Sequence, residues 1–126
     1  MVVNNDPEML ALFRDLLETE GAYRVTTRAY VNRGVDEIAA LAPDLIVLDY
    51  MWAGEDGGWT LLNMLRAHNA TAALPLVLCT AAVRQVEALE RHLAELDVRV
   101  VLKPFRIAQL ISAIEAGLGS TEEASP

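Results

Sequence analysis

Asp44-Leu45-Ile46-Val47-Leu48-Asp49 is an apolar run that ends on a carboxylate, and the glycine-rich stretch Gly54-Glu55-Asp56-Gly57-Gly58 follows it. A run this apolar reads as a strand covered on both faces, which is the situation of a parallel sheet packed between helices. Charge is rarely placed at the lip of such a sheet without a partner, because burying it alone is costly. The partner must therefore come from the remainder of the chain.

Upstream, Val2-Val3 is just long enough for a strand. Asp6 is a good helix N-cap and Pro7 a good first helical residue. Met9, Leu12, Phe13, Leu16 and Leu17 then recur at helical spacing, and Gly21 closes the helix. Tyr23 to Thr27 is aromatic and β-branched and predicts a second strand, followed by a helix carrying Val35, Ile38, Ala39, Leu41 and Ala42 that stops before Pro43. Downstream, Trp59 to Arg66 reads as a third helix and Leu76 to Cys79 as a strand that stops at Thr80-Ala81-Ala82. A fourth helix over Val83 to Leu96 turns Val86, Leu89, Leu93 and Leu96 inward. Val98 to Leu102 is the fifth strand, ended by Lys103-Pro104, and Ile107, Leu110, Ile111, Ile114 and Leu118 form a last helix before Gly119. Strand and helix thus alternate five times. The fold class is α/β, a doubly wound five-stranded parallel sheet with five helices on both faces.

Composition narrows the function. The chain of 126 residues is long enough for one domain that buries about two thirds of its unfolded surface, and too short for two. No apolar run approaches the ~20 residues that span a bilayer, and the N-terminus lacks a secretory pattern, so a cytoplasmic location is expected. A net charge of −8 opposes attraction to nucleic acid or to an anionic membrane. Cys79 is the only cysteine, and its apolar setting reads as a buried small hydrophobe. His68 and His92 fall on helices far from any ligand cluster and are read as surface residues, Trp59 as a core residue at a helix start. Trp52 is read as a loop aromatic at the mouth of the site or against a partner.

In an open α/β sheet, ligands bind outside the carboxyl ends of the strands. The residues at those ends are Asn4, Asn5 and Asp6 after strand one, Asp49 after strand three, Thr80 and Ala81 after strand four, and Lys103 and Pro104 after strand five. Strand two ends in Thr26, Thr27 and Arg28 and is expected at an edge with no part in the site. One acid, one amine, one hydroxyl and a pair of amides on one edge suit a small anionic ligand. Asp49 would act as a nucleophile towards phosphorus, with Lys103 and the Thr80 hydroxyl holding phosphoryl oxygens.

With these residues in these positions, the chain resembles the receiver domain of two-component response regulators. The segments that carry the likeness are Val2-Val3-Asn4-Asn5-Asp6-Pro7, Leu48-Asp49-Tyr50-Met51, Gly58-Trp59-Thr60-Leu61-Leu62, Leu78-Cys79-Thr80-Ala81 and Leu102-Lys103-Pro104-Phe105. The resemblance implies a flavodoxin-like strand order 2-1-3-4-5, a receiver domain over residues 1–119, and a flexible tail or linker remnant over 120–126. It makes Asp49 the phosphoacceptor, Thr80 the switch hydroxyl and Lys103 the phosphate-binding lysine, and it raises a cis Lys103-Pro104 peptide bond as an expectation. It implies a signalling module rather than an enzyme, at most catalysing its own phosphorylation and dephosphorylation. The partners it implies are a histidine kinase or phosphotransfer protein, and a downstream protein on the face made by helix four, strand five and helix five, with no nucleic acid and no membrane.

The departures bear on the cofactor. Where the family usually has two adjacent acids after strand one, this chain has Asn4 and Asn5. The expected Mg²⁺ is therefore weakly held or absent, with Asp49, the Met51 main-chain carbonyl, Asn5 and Asn4 as its candidate ligands. Asp6 is read as a helix cap. Ala53 replaces the usual proline and Val100 the frequent aromatic switch residue. The alternative function is a pseudo-receiver that binds proteins without being phosphorylated. A phosphatase resembling haloacid dehalogenases would need an acid where this chain has Met51.

Overall fold

The computed structural model describes residues 1–21, 23–29, 34–49, 57–80 and 83–123. The elements run β1 (Val2–Val3), α1 (Pro7–Glu20), β2 (Thr27–Arg28), α2 (Val35–Leu41), β3 (Ile46–Asp49), α3 (Gly57–Ala67), β4 (Leu76–Thr80), α4 (Val83–Glu95), β5 (Val98–Leu102) and α5 (Ile107–Glu123). All neighbouring strands pair in parallel in the order β2-β1-β3-β4-β5, the flavodoxin-like order. The chain winds outward from β1 to β2, then returns to lay β3 on the other side of β1. That reversal puts a crevice between the carboxyl ends of β1 and β3.

The period-2 alternation of the strands divides the core in two. Val2, Val47, Val77, Cys79 and Val101 point to the face covered by α1 and α5, against Leu10, Phe13, Leu17, Leu110 and Ile114. Val3, Ile46, Leu48, Leu76 and Leu78 point to the other face, against Val35 and Ile38 of α2, Leu61, Leu62 and Leu65 of α3, and Leu93 of α4. The inner strands β1, β3 and β4 are thus apolar on both sides, which is why their sequence runs are continuous rather than alternating. Leu62 is fully buried in the second cluster, and truncating it to alanine would cost roughly 2–5 kcal/mol.

Local chemistry sets the helix ends. The Asp6 side chain accepts the Glu8 N–H at 3.0 Å, and Pro7 occupies the first turn, where its missing N–H is not needed. At the other end of α1, Gly21 has φ −103°, an ordinary right-handed value. A Cβ there would press on the Tyr23 ring, which would have to move to admit any larger residue. Arg66, on the last turn of α3, donates to the carbonyls of Leu96 at 2.8 Å, Leu74 at 2.5 Å, Ala72 at 3.2 Å and Asp97 at 3.4 Å. It ties α3 to the turns that enter β4 and β5.

The structure corrects the sequence reading in four places. β2 is two residues long and begins at Thr27, because β1 offers only Val2 and Val3 to pair with. On α1 the buried stripe is Leu10, Phe13 and Leu17, while Leu12 is 50% exposed on a groove shared with Met9, Leu16 and Phe105. Leu41 is exposed at the end of α2. α5 does not stop at Gly119 and continues to Glu123. Leu93 is buried as expected, whereas the Val86 and Leu89 side chains lie outside the described residues. Trp59 is partly buried and meets exposed His92 edge to face at 5.0 Å. His68 is exposed, its Nε2 lying 3.8 Å from Asp36.

Candidate functional site at the carboxyl ends of the strands

β3 delivers Asp49 half-buried at the crevice, opposite Cys79 of β4 in register. Among the described residues, donors reach it from strands on either side. From the chain just beyond β1, Asn4 is 3% exposed and donates its Nδ2 to Asp49 Oδ2 at 3.1 Å. From the first position after β5, Lys103 donates its Nζ to the same oxygen at 3.3 Å. The three residues are scattered over a hundred positions, and the parallel sheet alone brings them together.

The rest of the edge holds these groups in place. Thr80 is buried at the end of β4, and its carbonyl accepts the Lys103 backbone N–H at 2.8 Å, which fixes where the lysine leaves the sheet. The Lys103-Pro104 peptide bond is cis. Beneath the carboxylate, Cys79 is held far from ionisation: burial pushes its thiol up to about 12, with Lys103 pulling it down and Asp49 pushing it up by lesser amounts. It packs as an apolar group.

Asn4 is the residue whose role the sequence did not reveal. Its Oδ1 accepts the Asp6 N–H at 2.9 Å, so the amide cannot present its oxygen to the crevice and its nitrogen faces Asp49. A side-chain oxygen bonded to the N–H two residues on is the Asx turn that Asn-x-Asp-Pro favours, and this is the local signal that could have shown it. Asn5 is exposed, and Asp6 is engaged at the cap of α1. Met51, Ala81, Trp52 and Ala53 lie outside the described residues.

Mg²⁺ takes oxygen ligands in a near-octahedral shell and is anchored by one or two carboxylates. Of the described residues around the crevice, Asp49 supplies a carboxylate and Asn4 supplies a hydrogen-bond donor. No group of three His, Cys, Asp or Glu side chains comes together among the described residues. This donor set does not fit a divalent cation well. It fits an anion, to which both the amide N–H and the ammonium can donate.

The model of the response regulator receiver domain matches residues 1–115. The chain belongs to this family. It is a receiver domain, a signalling module of phosphorelay signal transduction, and receiver domains interact with histidine kinases or phosphotransfer proteins. Its fold is similar to that of a sensor protein from Polaromonas, at 23% identity, TM-score 0.80 and 94% coverage of each chain. It is similar to the N-terminal domain of a response regulator receiver protein from Methanoculleus marisnigri, at 29% identity, TM-score 0.67 and 91% of each chain. A third similar structure is the receiver domain of a sensor histidine kinase from Pseudomonas aeruginosa, at 22% identity, TM-score 0.75 and 94% of each chain, with a magnesium ion coordinated in its active site cleft. No curated relative matches the sequence. Among the described residues, no helix of this receiver domain is long and apolar enough to cross a membrane.

Proposed function

We propose that Asp49 is the phosphoacceptor of this receiver domain, taking the phosphoryl group from the phosphohistidine of a kinase or phosphotransfer protein. The observation that carries this is the convergence of Lys103 Nζ and Asn4 Nδ2 on one carboxylate oxygen at the sheet's switch point. Phosphoryl transfer asks chiefly for positioning and charge neutralisation, and a cation plus a fixed amide supply both. Lys103 neutralises the carboxylate at rest and the phosphoryl oxygens afterwards, and the Thr80 hydroxyl is the switch group. The Ala81 backbone and the Met51 carbonyl are assigned by the family likeness alone. Mg²⁺ is weakly bound or absent. The domain runs from residue 1 to the end of α5, past the boundary at 119 that the sequence suggests.

Phosphorylation then shifts the population of two states of the face formed by α4, β5 and α5, where a downstream protein binds. Supporting that surface, Leu102 at the end of β5 is exposed and Val98 and Val100 are only partly covered. Incubation with phosphoramidate, read by intact mass, tests the acceptor. The wild-type chain gains one phosphoryl group and Asp49→Asn gains none. A folded wild-type chain with no gain, or a gain that survives Asp49→Asn, refutes the assignment, and the former outcome leaves a protein-binding pseudo-receiver.

A further inference from the structure

We infer that Asn4 stands in for the divalent cation, so that this receiver accepts its phosphoryl group without Mg²⁺; the inference rests on Asp49 as the acceptor. The argument begins with orientation. The Asx turn to Asp6 holds Asn4 Oδ1 away, and the buried amide points a donor at Asp49 Oδ2 at 3.1 Å. A cation coordinated at that oxygen would lie against N–H hydrogens rather than lone pairs, and the amide would have to break both hydrogen bonds to offer its carbonyl.

Charge points the same way. An acid-lined crevice needs a dication partly to offset its own carboxylates, which otherwise repel the incoming phosphoryl group. Here the neutral Asn4 adds no charge, and Lys103 already balances Asp49 at 3.3 Å. The anion therefore meets an ammonium and a preorganised amide. Neither has to shed the tightly held water that makes Mg²⁺ slow to dehydrate.

The step balances without a metal or an added proton. With phosphoramidate in its ammonio form, an Asp49 carboxylate oxygen forms the O–P bond as the P–N bond breaks. The nitrogen keeps the bonding pair and leaves as ammonia.

The test compares the full chain and Asn4→Asp, each with phosphoramidate in excess EDTA and in millimolar MgCl₂, by time-resolved intact mass. Mg²⁺ binding is followed separately by calorimetric titration and by the shift of the melting temperature. The wild-type rate is expected to agree within about twofold between the two conditions, with no melting shift from Mg²⁺. Asn4→Asp sets two carboxylates against each other. It should be slowed about tenfold or more in EDTA, recover in MgCl₂, and acquire a measurable Mg²⁺ affinity. If Asn4→Asp fails to fold, Asn4→Ser provides the second variant: it is expected to lose rate equally in EDTA and MgCl₂. Wild-type phosphorylation that requires Mg²⁺ overturns this inference and leaves Asp49 as acceptor. Absence of phosphorylation in both conditions overturns Asp49 as acceptor, and the inference with it.

Discussion

Lys103→Met separates the charge pairing at the site from its packing. The Lys103 Nζ and Asp49 Oδ2 atoms are 3.3 Å apart, and their side chains are 27% and 15% exposed, a pair neither fully solvated nor fully buried. At an effective dielectric of about 20 the gross Coulomb attraction is about 5 kcal/mol. Most of it is offset by desolvating both ions and ordering a long side chain, so the net coupling expected is about 1–2 kcal/mol, above a surface pair and below a buried one. Urea unfolding followed by circular dichroism should show Lys103→Met destabilised by that amount, with an unchanged dependence on denaturant. In the Asp49→Asn background the same substitution should cost almost nothing, because the charge it leaves behind is gone. The second readout is chemical. Removing one charge-assisted donor from the phosphoryl group should slow phosphorylation about 10²- to 10³-fold, whereas Lys103→Arg, which keeps the charge in a bulkier fork, should retain part of the rate. An equal stability cost in both backgrounds would refute the pairing, and an unchanged phosphorylation rate would remove Lys103 from the reaction.

Three further expectations test other parts of the structure. Arg66→Met leaves the Leu74 and Leu96 carbonyls without their short bonds and should cost about 2 kcal/mol in urea unfolding; Arg66→Lys, with one point donor for several acceptors, should recover less than half. Equal stability of the lysine variant and wild type would show that charge rather than the fork matters. Cys79 keeps its proton to about pH 12 when folded and ionises near 9 when unfolded, so the unfolded chain releases its proton first. Stability should be unaffected below pH 9 and fall from there towards 12, and at pH 8 a thiol reagent should label Cys79 only in urea; rapid labelling of the native chain would contradict its burial. Ala42 caps α2 at φ 47° and ψ 54°, a left-handed conformation that favours glycine. Ala42→Gly should raise stability by about 0.5–1 kcal/mol, and a lowered melting temperature would mean that the strain is absent.

The parts of this fold that were legible in the sequence are those fixed by patterns a few residues long. Ile46 to Leu48 and Leu76 to Cys79 are apolar throughout because helices cover both of their faces, so their identity as inner strands follows from the run itself. The Asp6-Pro7 start of α1 is equally local. β2 was misjudged because its length is set by β1, not by its own β-branched residues. The choice of Leu10 over Leu12 depends on where α1 lies on the sheet, and both fit a helical stripe. Arg66 gave no signal, since its partners are backbone carbonyls from turns near residues 72–74 and 96–97.

The site was legible to the extent that topology makes it. Once the strands are parallel, Asp49, Thr80 and Lys103 must share an edge, whatever fills the loops between them. What spacing leaves open is the sign of the group at Asn4. An amide is a metal ligand through its oxygen and an anion holder through its nitrogen, and the two readings predict opposite cofactor chemistry from the same residue. The Asp6 N–H decides between them by claiming the oxygen at 2.9 Å. A bond confined to one turn thereby selects which end of Asn4 faces a carboxylate 45 positions away. It also sets the field that an incoming phosphoryl group meets, with a donor beside Asp49 where an acid would have called for a cation.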